Sequence, residues 1–301
     1  MKKKIFLLIF LAFGLLIFDL VGTIILKKWP KLLPINHQEK IANHSGFTKE
    51  IEEAERKAEE ARKTEEEKKR KEEETRQFIV TYGPCRTIPI LMYHHIGTPG
   101  AAGGGWLYVK TEVFSQQMDY LISKGYSPVT LPEIVTGLLG TNTLPAKPVV
   151  VTFDDGYRDF HANAYPILRQ KNIKATIFLI TQLMEGVDYL TWEQARELAG
   201  NPLITIGDHT LDHRLMAKMT EDELRNEIIN SKNILEANLG KKVNVFAYPF
   251  GAVNGRASKI LSEAGFMAAV TASRGFVCAK LPYGLSRIRV GSSPLSSYGL
   301  F

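Results

Sequence analysis

Residues 148–157 read Pro-Val-Val-Val-Thr-Phe-Asp-Asp-Gly-Tyr, an apolar and mostly β-branched run that ends in two adjacent carboxylates. The run predicts a buried strand with charge at its carboxyl-terminal tip. Barrel enzymes of alternating strands and helices place their catalytic groups at such tips. Asp-Asp-Gly alone is also typical of a solvated turn, so this segment by itself leaves a catalytic role for Asp154 and Asp155 open.

A pair of histidines follows 54 residues after Asp155, in the sequence His-Thr-Leu-Asp-His of residues 209–213. An apolar run, residues 203–207, precedes the pair. His209 and His213 are four residues apart, so they fall on one face of a helix or tight turn, and two imidazoles with one carboxylate leave a fourth position on Zn²⁺ for water. Such a pair alone is more often not a metal site. In this order the motifs predict a metal held by His209, His213 and one carboxylate of the Asp154–Asp155 pair, with the other carboxylate spare.

Strand-like and helical runs alternate through the rest of the second half of the chain. Residues 165–171 and 221–239 are helical in pattern, and each precedes a strand-like run, 175–180 and 243–246. This alternation predicts a parallel β/α architecture, and the roughly 220 residues from 78 to 301 suit one barrel domain.

These motifs resemble those of the polysaccharide deacetylases of the NodB-homology type, also called carbohydrate esterase family four, over about residues 86–290. The resemblance implies an irregular, incomplete (β/α) barrel in which Asp154 is the general base and Asp155, His209 and His213 bind a divalent metal. Zn²⁺ is the metal expected first, with Ni²⁺ or Co²⁺ as alternatives. The implied enzyme is a hydrolase of linear amides that acts on a polysaccharide.

The segment Ala-Tyr-Pro-Phe-Gly, residues 247–251, is similar to the family's third motif, usually Arg-x-Pro-Tyr-Gly. The resemblance implies that the Phe250 backbone N–H stabilises the oxyanion. Ala247 stands where the family has an arginine that orients the basic aspartate. We therefore hypothesise that Arg287 or Arg289, on the last predicted strand, takes over this function, since a neighbouring cation keeps a carboxylate ionised.

The family's fourth motif is not visible, and no histidine follows His213 to serve as its late general acid. Residues 89–96, Pro-Ile-Leu-Met-Tyr-His-His-Ile, resemble the poly-N-acetylglucosamine deacetylase branch, in which a Tyr-His on the first strand replaces the late histidine. This implies His94 as the general acid, and strand alternation points His95 to the opposite face. The alternative is that both are strand-end histidines satisfied by backbone groups.

Three functions remain open from the sequence. The first is a metal-dependent N-deacetylase of an N-acetylglucosamine-containing exopolysaccharide or cell-wall glycan. The second is an esterase that removes O-acetyl groups from a polysaccharide. The third is a carbohydrate-binding module that has lost its catalytic activity. Ala247 and the missing late histidine favour this interpretation. The presence of all four residues of the predicted metal and base site argues against it: Asp154, Asp155, His209 and His213.

The amino terminus predicts a single membrane span. Residues 5–26 are apolar apart from Asp19 and, as a helix, reach about 33 Å, which is enough to cross a bilayer. We predict an anchor over residues 1–28. A cleaved secretory signal is the alternative, but the run is long for one and no Ala-x-Ala site follows. Lysines flank both ends of the span, so the positive-inside rule does not indicate its orientation. We expect the catalytic domain to be extracytoplasmic because the inferred substrate is a glycan.

Residues 29–77 form the predicted link between the anchor and the catalytic domain. From residue 50 onward they are almost wholly Glu, Lys, Arg and Ala, with acidic and basic residues at helical i,i+4 spacing. The pattern predicts a solvated helical stalk that lacks a sustained heptad seam, so a single helix is favoured over a coiled coil. A disordered charged tether is the alternative.

Charge and cysteine content exclude two classes of function. Only half of the net charge of +6 lies in residues 78–301, which hold 21 basic and 18 acidic side chains, a difference of three, and no long basic patch or RNA-binding motif is present. Nucleic acid is therefore not an expected partner. Cys85 and Cys278 are the only cysteines, and neither has a nucleophile context. Outside the cytoplasm they could pair, which the sequence leaves open.

Overall fold

The computed structural model describes residues 37–98 and 105–301, with side chains from residue 53 onward. The chain divides into two compact units, Met1–Glu72 and Glu73–Phe301. The predicted membrane segment, residues 5–26, lies outside the described residues. Among the helices that are described, none combines the length and the apolar character needed to cross a bilayer.

The predicted charged helix is part of α1 (His37–Tyr82), which has 46 residues. Three of the acid–base pairs expected from the spacing form along it, with N–O distances of 2.7 Å for Lys57–Glu53, 3.5 Å for Lys63–Glu59 and 3.6 Å for Lys69–Glu65. Their side chains are exposed, so each pair contributes little and the helix depends on many such contacts. The helix continues beyond residue 77 to Tyr82.

A parallel sheet forms the centre of the second unit. Two short ribbons accompany it, β1 (Cys85–Arg86) with β11 (Val277–Cys278), and β3 (His95–Ile96) with β4 (Tyr108–Val109). The sheet itself consists of β2 (Ile90–Tyr93), β5 (Ser127–Pro128), β6 (Pro148–Phe153), β7 (Ala175–Leu179), β8 (Ile204–Asp208), β9 (Val245–Ala247), β10 (Ala268–Val270) and β12 (Ile288–Arg289). Its order is β10-β9-β8-β7-β6-β2-β12, with β5 paired to the start of β6.

The sheet curls so that its two edges approach each other. Leu285, just before β12, forms a parallel bridge with Val270 of β10. The Arg287 backbone N–H donates to the Ser273 carbonyl at 2.9 Å. The result is a curled, incomplete parallel barrel, and the predicted irregular β/α architecture is confirmed.

Helices surround the sheet. They are α2 (Thr111–Ser123), α3 (Leu131–Leu138), α4 (Tyr165–Gln170), α5 (Trp192–Gly200), α6 (Glu221–Arg225), α7 (Ser231–Leu239) and α8 (Gly255–Glu263). All of these cover its outer face except α3, whose buried side chains pack with the interior residues. A π-helical turn, Asn226–Asn230, joins α6 and α7 into the single helical segment predicted over 221–239. Capping boxes at Thr130, Thr191 and Thr220 start α3, α5 and α6, each threonine accepting a hydrogen bond from the backbone N–H three residues on.

The alternation of side chains along β6 determines which groups enter the barrel. Val149, Val151 and Phe153 pack outward in the core beneath the helices, whereas Val150 packs inside. Because successive strand residues point to opposite faces, Asp154 continues the inward set at the strand's carboxyl end. The β6 strand is fully buried, and the Asp154 carboxylate that follows it lies at the mouth of the barrel.

A disulfide joins Cys85 of β1 to Cys278 of β11, which are 193 residues apart in sequence. The two cysteines face each other directly in the antiparallel β1–β11 register. The bond links the start of the second unit to the segment after β10. The pairing that the sequence left open is therefore present in the structure.

Candidate active site

Four parallel strands end at the same edge of the barrel and carry the predicted site residues there. His94 follows β2, the two aspartates follow β6, His209 follows β8, and Phe250 lies three residues after β9. These residues line a cleft of about 260 Å³. A larger cavity of about 480 Å³ is lined by residues at the strands' opposite ends, including Arg86, Lys147 and Arg274, and contains none of the predicted metal ligands.

The three predicted metal ligands converge. Asp155 Oδ1 lies 3.4 Å from His209 Nε2 and 3.5 Å from His213 Nε2. The ligand atoms of the three residues all lie within 4.8 Å of one another. His209 Nδ1 lies 2.7 Å from the Ala247 carbonyl oxygen, which can only accept, so this nitrogen carries the proton and the Nε2 lone pair faces the cluster.

The chemistry of this cluster fits a divalent metal. Asp155 Oδ1 is buried and has no hydrogen-bond partner among the described residues, although it points at two imidazole nitrogens. Burial opposes ionisation of Asp155, but the neighbouring imidazoles of His209, His94 and His213 outweigh it and hold the pKa of this carboxyl well below its usual value. One carboxylate and two imidazoles suit Zn²⁺ and related ions.

Arg287 is the residue that contacts Asp154. Its two terminal nitrogens each donate to one carboxylate oxygen of Asp154 at 2.7 Å, and both side chains are nearly inaccessible to solvent. Nε donates to the Thr271 carbonyl at 2.6 Å and Nη1 also reaches Thr152 Oγ1 at 3.1 Å. Although burial raises the pKa of Asp154, the charge and hydrogen bonds of Arg287 outweigh it and lower that pKa. Asp154 is therefore an oriented, ionised carboxylate.

Arg289, the other arginine considered for this task, lies elsewhere. Its guanidinium stacks 4.8 Å from the centre of the Trp106 ring at the rim of the cleft. Trp106 is 65% exposed, so an aromatic face and a cation border the cleft together. Of the two alternatives, Arg287 alone is bound to Asp154, because it lies one residue before β12 and extends into the barrel interior.

The turn after β9 has a strained backbone. Phe250 has φ = 59°, in the left-handed region that side chains rarely adopt, and its ring packs 4.7 Å from that of His213. Gly251 follows with φ = 69°, and a Cβ there would lie 2.2 Å from the Ala272 backbone nitrogen. The turn therefore requires glycine and holds Phe250 at the cleft, where its backbone was predicted to act.

The two adjacent histidines point in different directions. His94 lines the cleft, and burial lowers its pKa despite the opposing charges of Asp154 and Asp155. His95 Nδ1 lies 2.6 Å from Asp159 Oδ2, and its ring stacks on those of Tyr157 and Tyr108 with centroids 3.6 and 4.2 Å away. The geometry thus separates His94, at the site, from His95, which supports the aromatic groups beside it.

Most of the residues that contact the site residues from behind were not identified from the sequence. Tyr189 stacks on Tyr157 at 5.2 Å, and the two residues form an isolated β-bridge beside the cleft. Asp208, which precedes His209, accepts a hydrogen bond from Ser231, and burial raises its pKa to about 7. No local pattern marks Tyr189 or Ser231, because each acts through a contact between segments distant in sequence.

Comparison with known proteins agrees with this geometry. A family described as polysaccharide deacetylase matches residues 141–269. YxkH of Bacillus subtilis (strain 168), assigned to the polysaccharide deacetylases, is 33% identical over 217 residues, which are 72% of this chain and 75% of YxkH. The poly-β-1,6-N-acetyl-D-glucosamine N-deacetylase of Escherichia coli (strain K12) is 24% identical over 236 residues, covering 64% of this chain and 35% of that protein.

The same fold is found in a solved structure, the Streptococcus pyogenes deacetylase PplD in complex with acetate. It superposes with a TM-score of 0.66 and 29% sequence identity over 71% of this chain and 98% of PplD. The aligned part of this chain corresponds to nearly all of that deacetylase. Together with the identity to YxkH over most of its length, this shows that the chain belongs to the polysaccharide deacetylase family.

Proposed function

We propose that this deacetylase removes N-acetyl groups from a polymer containing N-acetylglucosamine, with a divalent metal held by Asp155, His209 and His213. The observation that carries the proposal is the convergence of these three ligands beside an ionised carboxylate, Asp154, that Arg287 holds in place. A binding module would need neither a complete ligand set nor an oriented base. The geometry therefore supports hydrolysis rather than binding alone.

Amide hydrolysis needs an activated water, a stabilised oxyanion and a proton for the amine that leaves. The bound metal would supply acidification of the water, whose pKa falls from about 16 to about 7 in such sites, and polarisation of the acetyl carbonyl. Asp154 then accepts the proton of the attacking water, and Arg287 keeps this carboxylate ionised and aimed. The Phe250 backbone N–H donates to the oxyanion.

His94 completes the proton balance. As the carbon–nitrogen bond breaks, the amine nitrogen must gain a proton, and His94 lines the cleft together with Asp154. Its lowered pKa makes the protonated imidazole a stronger acid, which suits donation to a poor leaving group. The products are acetate and a free glucosamine amine. Trp106 and Arg289 at the rim provide an aromatic face and hydrogen-bond donors for neighbouring sugar units.

The substrate class is inferred from the relatives as well as from the cleft. The E. coli relative is named as a deacetylase of poly-β-1,6-N-acetyl-D-glucosamine. The S. pyogenes deacetylase structure holds acetate, which both N- and O-deacetylation release. The acetate therefore supports removal of an acetyl group, and the name of the E. coli relative supports an N-acetylated glycan as the substrate.

The deciding experiment measures acetate and new free amines together. Full-length protein is incubated with soluble N-acetylglucosamine oligomers, before and after chelation and re-addition of Zn²⁺. We expect equal amounts of acetate and amine, lost on chelation, restored by the metal, and reduced at least a hundredfold in Asp154→Asn.

Two other results would contradict the proposal. Acetate released from O-acetylated polysaccharide with no new amine would identify the esterase. No product from either substrate, by protein that binds the metal, would indicate a carbohydrate-binding module. Arg274→Gln, in the larger cavity at the opposite strand ends, is the control variant and should keep wild-type turnover, because Arg274 does not line the cleft.

We further propose that the protein is anchored in a membrane with the second unit outside the cytoplasm. The apolar run of residues 5–26 and the disulfide between Cys85 and Cys278 support this, because disulfides persist in oxidising compartments. Protease added to intact cells or spheroplasts should degrade the catalytic unit and leave cytoplasmic markers untouched. Protection of that unit until the cells are lysed would contradict the location.

A further inference from the structure

The turn that carries both histidine ligands is held in a conformation that its residues do not favour. Thr210 has φ = 70° and His213 has φ = 64°, and a β-branched residue such as threonine rarely adopts positive φ. Residues keep such conformations only where the surrounding structure determines them. The spacing of the His209 and His213 imidazoles therefore depends on whatever holds residues 209–213.

Glu227 holds the middle of this turn from outside the barrel. Its Oε2 accepts hydrogen bonds from the backbone N–H groups of Leu211 at 3.0 Å and Asp212 at 3.4 Å, and Oε1 accepts from Arg214 at 2.9 Å. The Glu227 side chain is 1% exposed, whereas that of Arg214 is 50% exposed. A carboxylate buried this completely requires such donors, and here the donors are the backbone of the histidine turn itself.

The same helical segment holds the start of the turn. Ser231 Oγ donates to Asp208 Oδ1 at 2.6 Å, and the same oxygen accepts the Thr210 backbone N–H at 2.9 Å. The His213 N–H donates to Thr210 Oγ1 at 3.1 Å. Every backbone N–H from residue 210 to 213 is thereby bonded, and three of the four bonds depend on Glu227 or on the Ser231–Asp208 pair.

The local helix geometry places Glu227 where it can do this. Residues 226–230 form a π-helical turn between α6 and α7, and this turn contains Glu227. A π-turn inserts one extra residue and shifts the helix face that follows it, and such turns are frequent at functional sites. Glu227, within the turn, and Ser231, directly after it, both contact residues of the 208–213 segment.

We propose that Glu227 is a positioning residue that sets the metal affinity of the site by fixing the turn between His209 and His213. The inference rests on the proposed metal site and deepens it. Glu227 does not contact the ligand atoms. It acts through the backbone of Leu211 and Asp212, so its loss lets the two imidazoles move apart. The main effect is then weaker metal binding rather than slower turnover of the metal-bound enzyme.

The test is the Zn²⁺ dissociation constant of the full-length protein, measured by competition with a chromophoric chelator. Glu227→Gln keeps the size of the side chain but removes its charge and its pairing with Arg214. We expect the dissociation constant to rise about 10–100-fold, the usual effect of losing a group that orients metal ligands. Glu227→Asp, which keeps the charge but shortens the reach, should give an intermediate value. Circular dichroism confirms that both variants are folded.

Glu236→Gln is the matched control. Glu236 is also a mostly buried carboxylate on this helical segment and also accepts a backbone N–H, that of Val243 at 3.0 Å, together with lysine side chains. It holds the segment before β9 rather than the histidine turn. Its replacement should lower thermal stability and leave the Zn²⁺ dissociation constant within about threefold of wild type, because its partners do not include the turn.

Three outcomes overturn the inference. A Glu227→Gln dissociation constant within threefold of wild type refutes it, as does equal weakening in Glu236→Gln, which would show a general effect of destabilisation. The Asp155→Asn variant distinguishes a failure of the Glu227 proposal from a failure of the proposed metal site. If Asp155→Asn binds Zn²⁺ as tightly as wild type, the metal site itself is wrong. If Asp155→Asn loses the metal and Glu227→Gln does not, only the role of Glu227 is wrong.

Discussion

A single arginine compensates for the buried charge of Asp154. Arg287 contributes two hydrogen bonds to that carboxylate and is itself nearly inaccessible to solvent. Ala247, the last residue of β9, stands where the resemblance led us to expect the orienting arginine. The small Ala247 side chain packs inside the barrel, the same interior that Arg287 enters. An arginine 40 residues further along the chain thus supplies the charge from a different strand.

Replacing Arg287 should affect stability and turnover together. In Arg287→Met the buried Asp154 charge loses its partner, so we expect about 3–5 kcal/mol loss in the free energy of unfolding. Turnover should fall by about two orders of magnitude, because the base is no longer ionised and aimed. Denaturant unfolding and kcat measure the two effects.

The control for this prediction is Arg289→Met. Arg289 stacks on exposed Trp106 at the rim, so its loss should change the free energy of unfolding by less than about 0.5 kcal/mol. Equal destabilisation by both variants would show that the ion pair with Asp154 contributes nothing of its own.

At the scale of elements, α7 is tied to the start of β9 by Glu236. Its carboxylate accepts the Val243 N–H and pairs with Lys232 and Lys242. Burial would raise the pKa of Glu236, but these hydrogen bonds and charges outweigh it and lower the pKa to about 2. A carboxyl with a lowered pKa in the folded state stabilises the fold above its unfolded pKa and loses that contribution as the pH falls.

Glu236→Gln should therefore destabilise the protein in a pH-dependent way. Near neutral pH we expect a loss of about 1–2 kcal/mol, toward the lower end because Lys242 is exposed. The difference from wild type should shrink between pH 4.5, the ordinary pKa of this carboxyl, and pH 2, its value in the fold. Denaturant unfolding at several pH values measures this. A difference that stays constant down to pH 2 would disprove the assigned ion pairs.

The ribbon of β1 and β11 is the second element on which stability depends, because its disulfide closes a loop of 193 residues. Replacing both Cys85 and Cys278 with serine should lower the free energy of unfolding by about 3–5 kcal/mol, since the unfolded chain gains conformational freedom. Thiol reductant should destabilise the wild type to the same degree and leave the double variant unchanged. A reductant-sensitive double variant, or an insensitive wild type, would contradict this.

At the scale of the whole molecule, the candidate site residues all belong to one of the two units. All of the candidate site residues, from His94 to Arg289, lie within Glu73–Phe301. None of the side chains that the structure describes in the charged helix α1 is among those that line the cleft. We therefore interpret the amino-terminal part of the chain as affecting where the enzyme acts rather than how it acts.

A chain that begins at Glu73 should fold and keep kcat/KM on soluble oligomers within about twofold of the full chain, because it retains every described residue that lines the cleft. It should also lose any association with the membrane fraction. Thermal unfolding, the acetate assay and fractionation measure these outcomes. A tenfold loss of kcat/KM on soluble oligomers, by folded truncated protein, would show that the first 72 residues contribute to catalysis.

The sequence by itself determined the parts that rest on local patterns. The β-branched run before Asp154, the motif spacing and the alternating helical and strand-like segments predicted the β/α fold and the three converging ligands Asp155, His209 and His213. These features are local because consecutive residues determine both the alternation of side chains along a strand and the position of its carboxyl-terminal end. Only the tertiary structure decided between Arg287 and Arg289, paired Cys85 with Cys278, and brought Glu227 against the histidine turn. Each of these depends on contacts between segments far apart in sequence, which the curl of the sheet and the packing of its helices create.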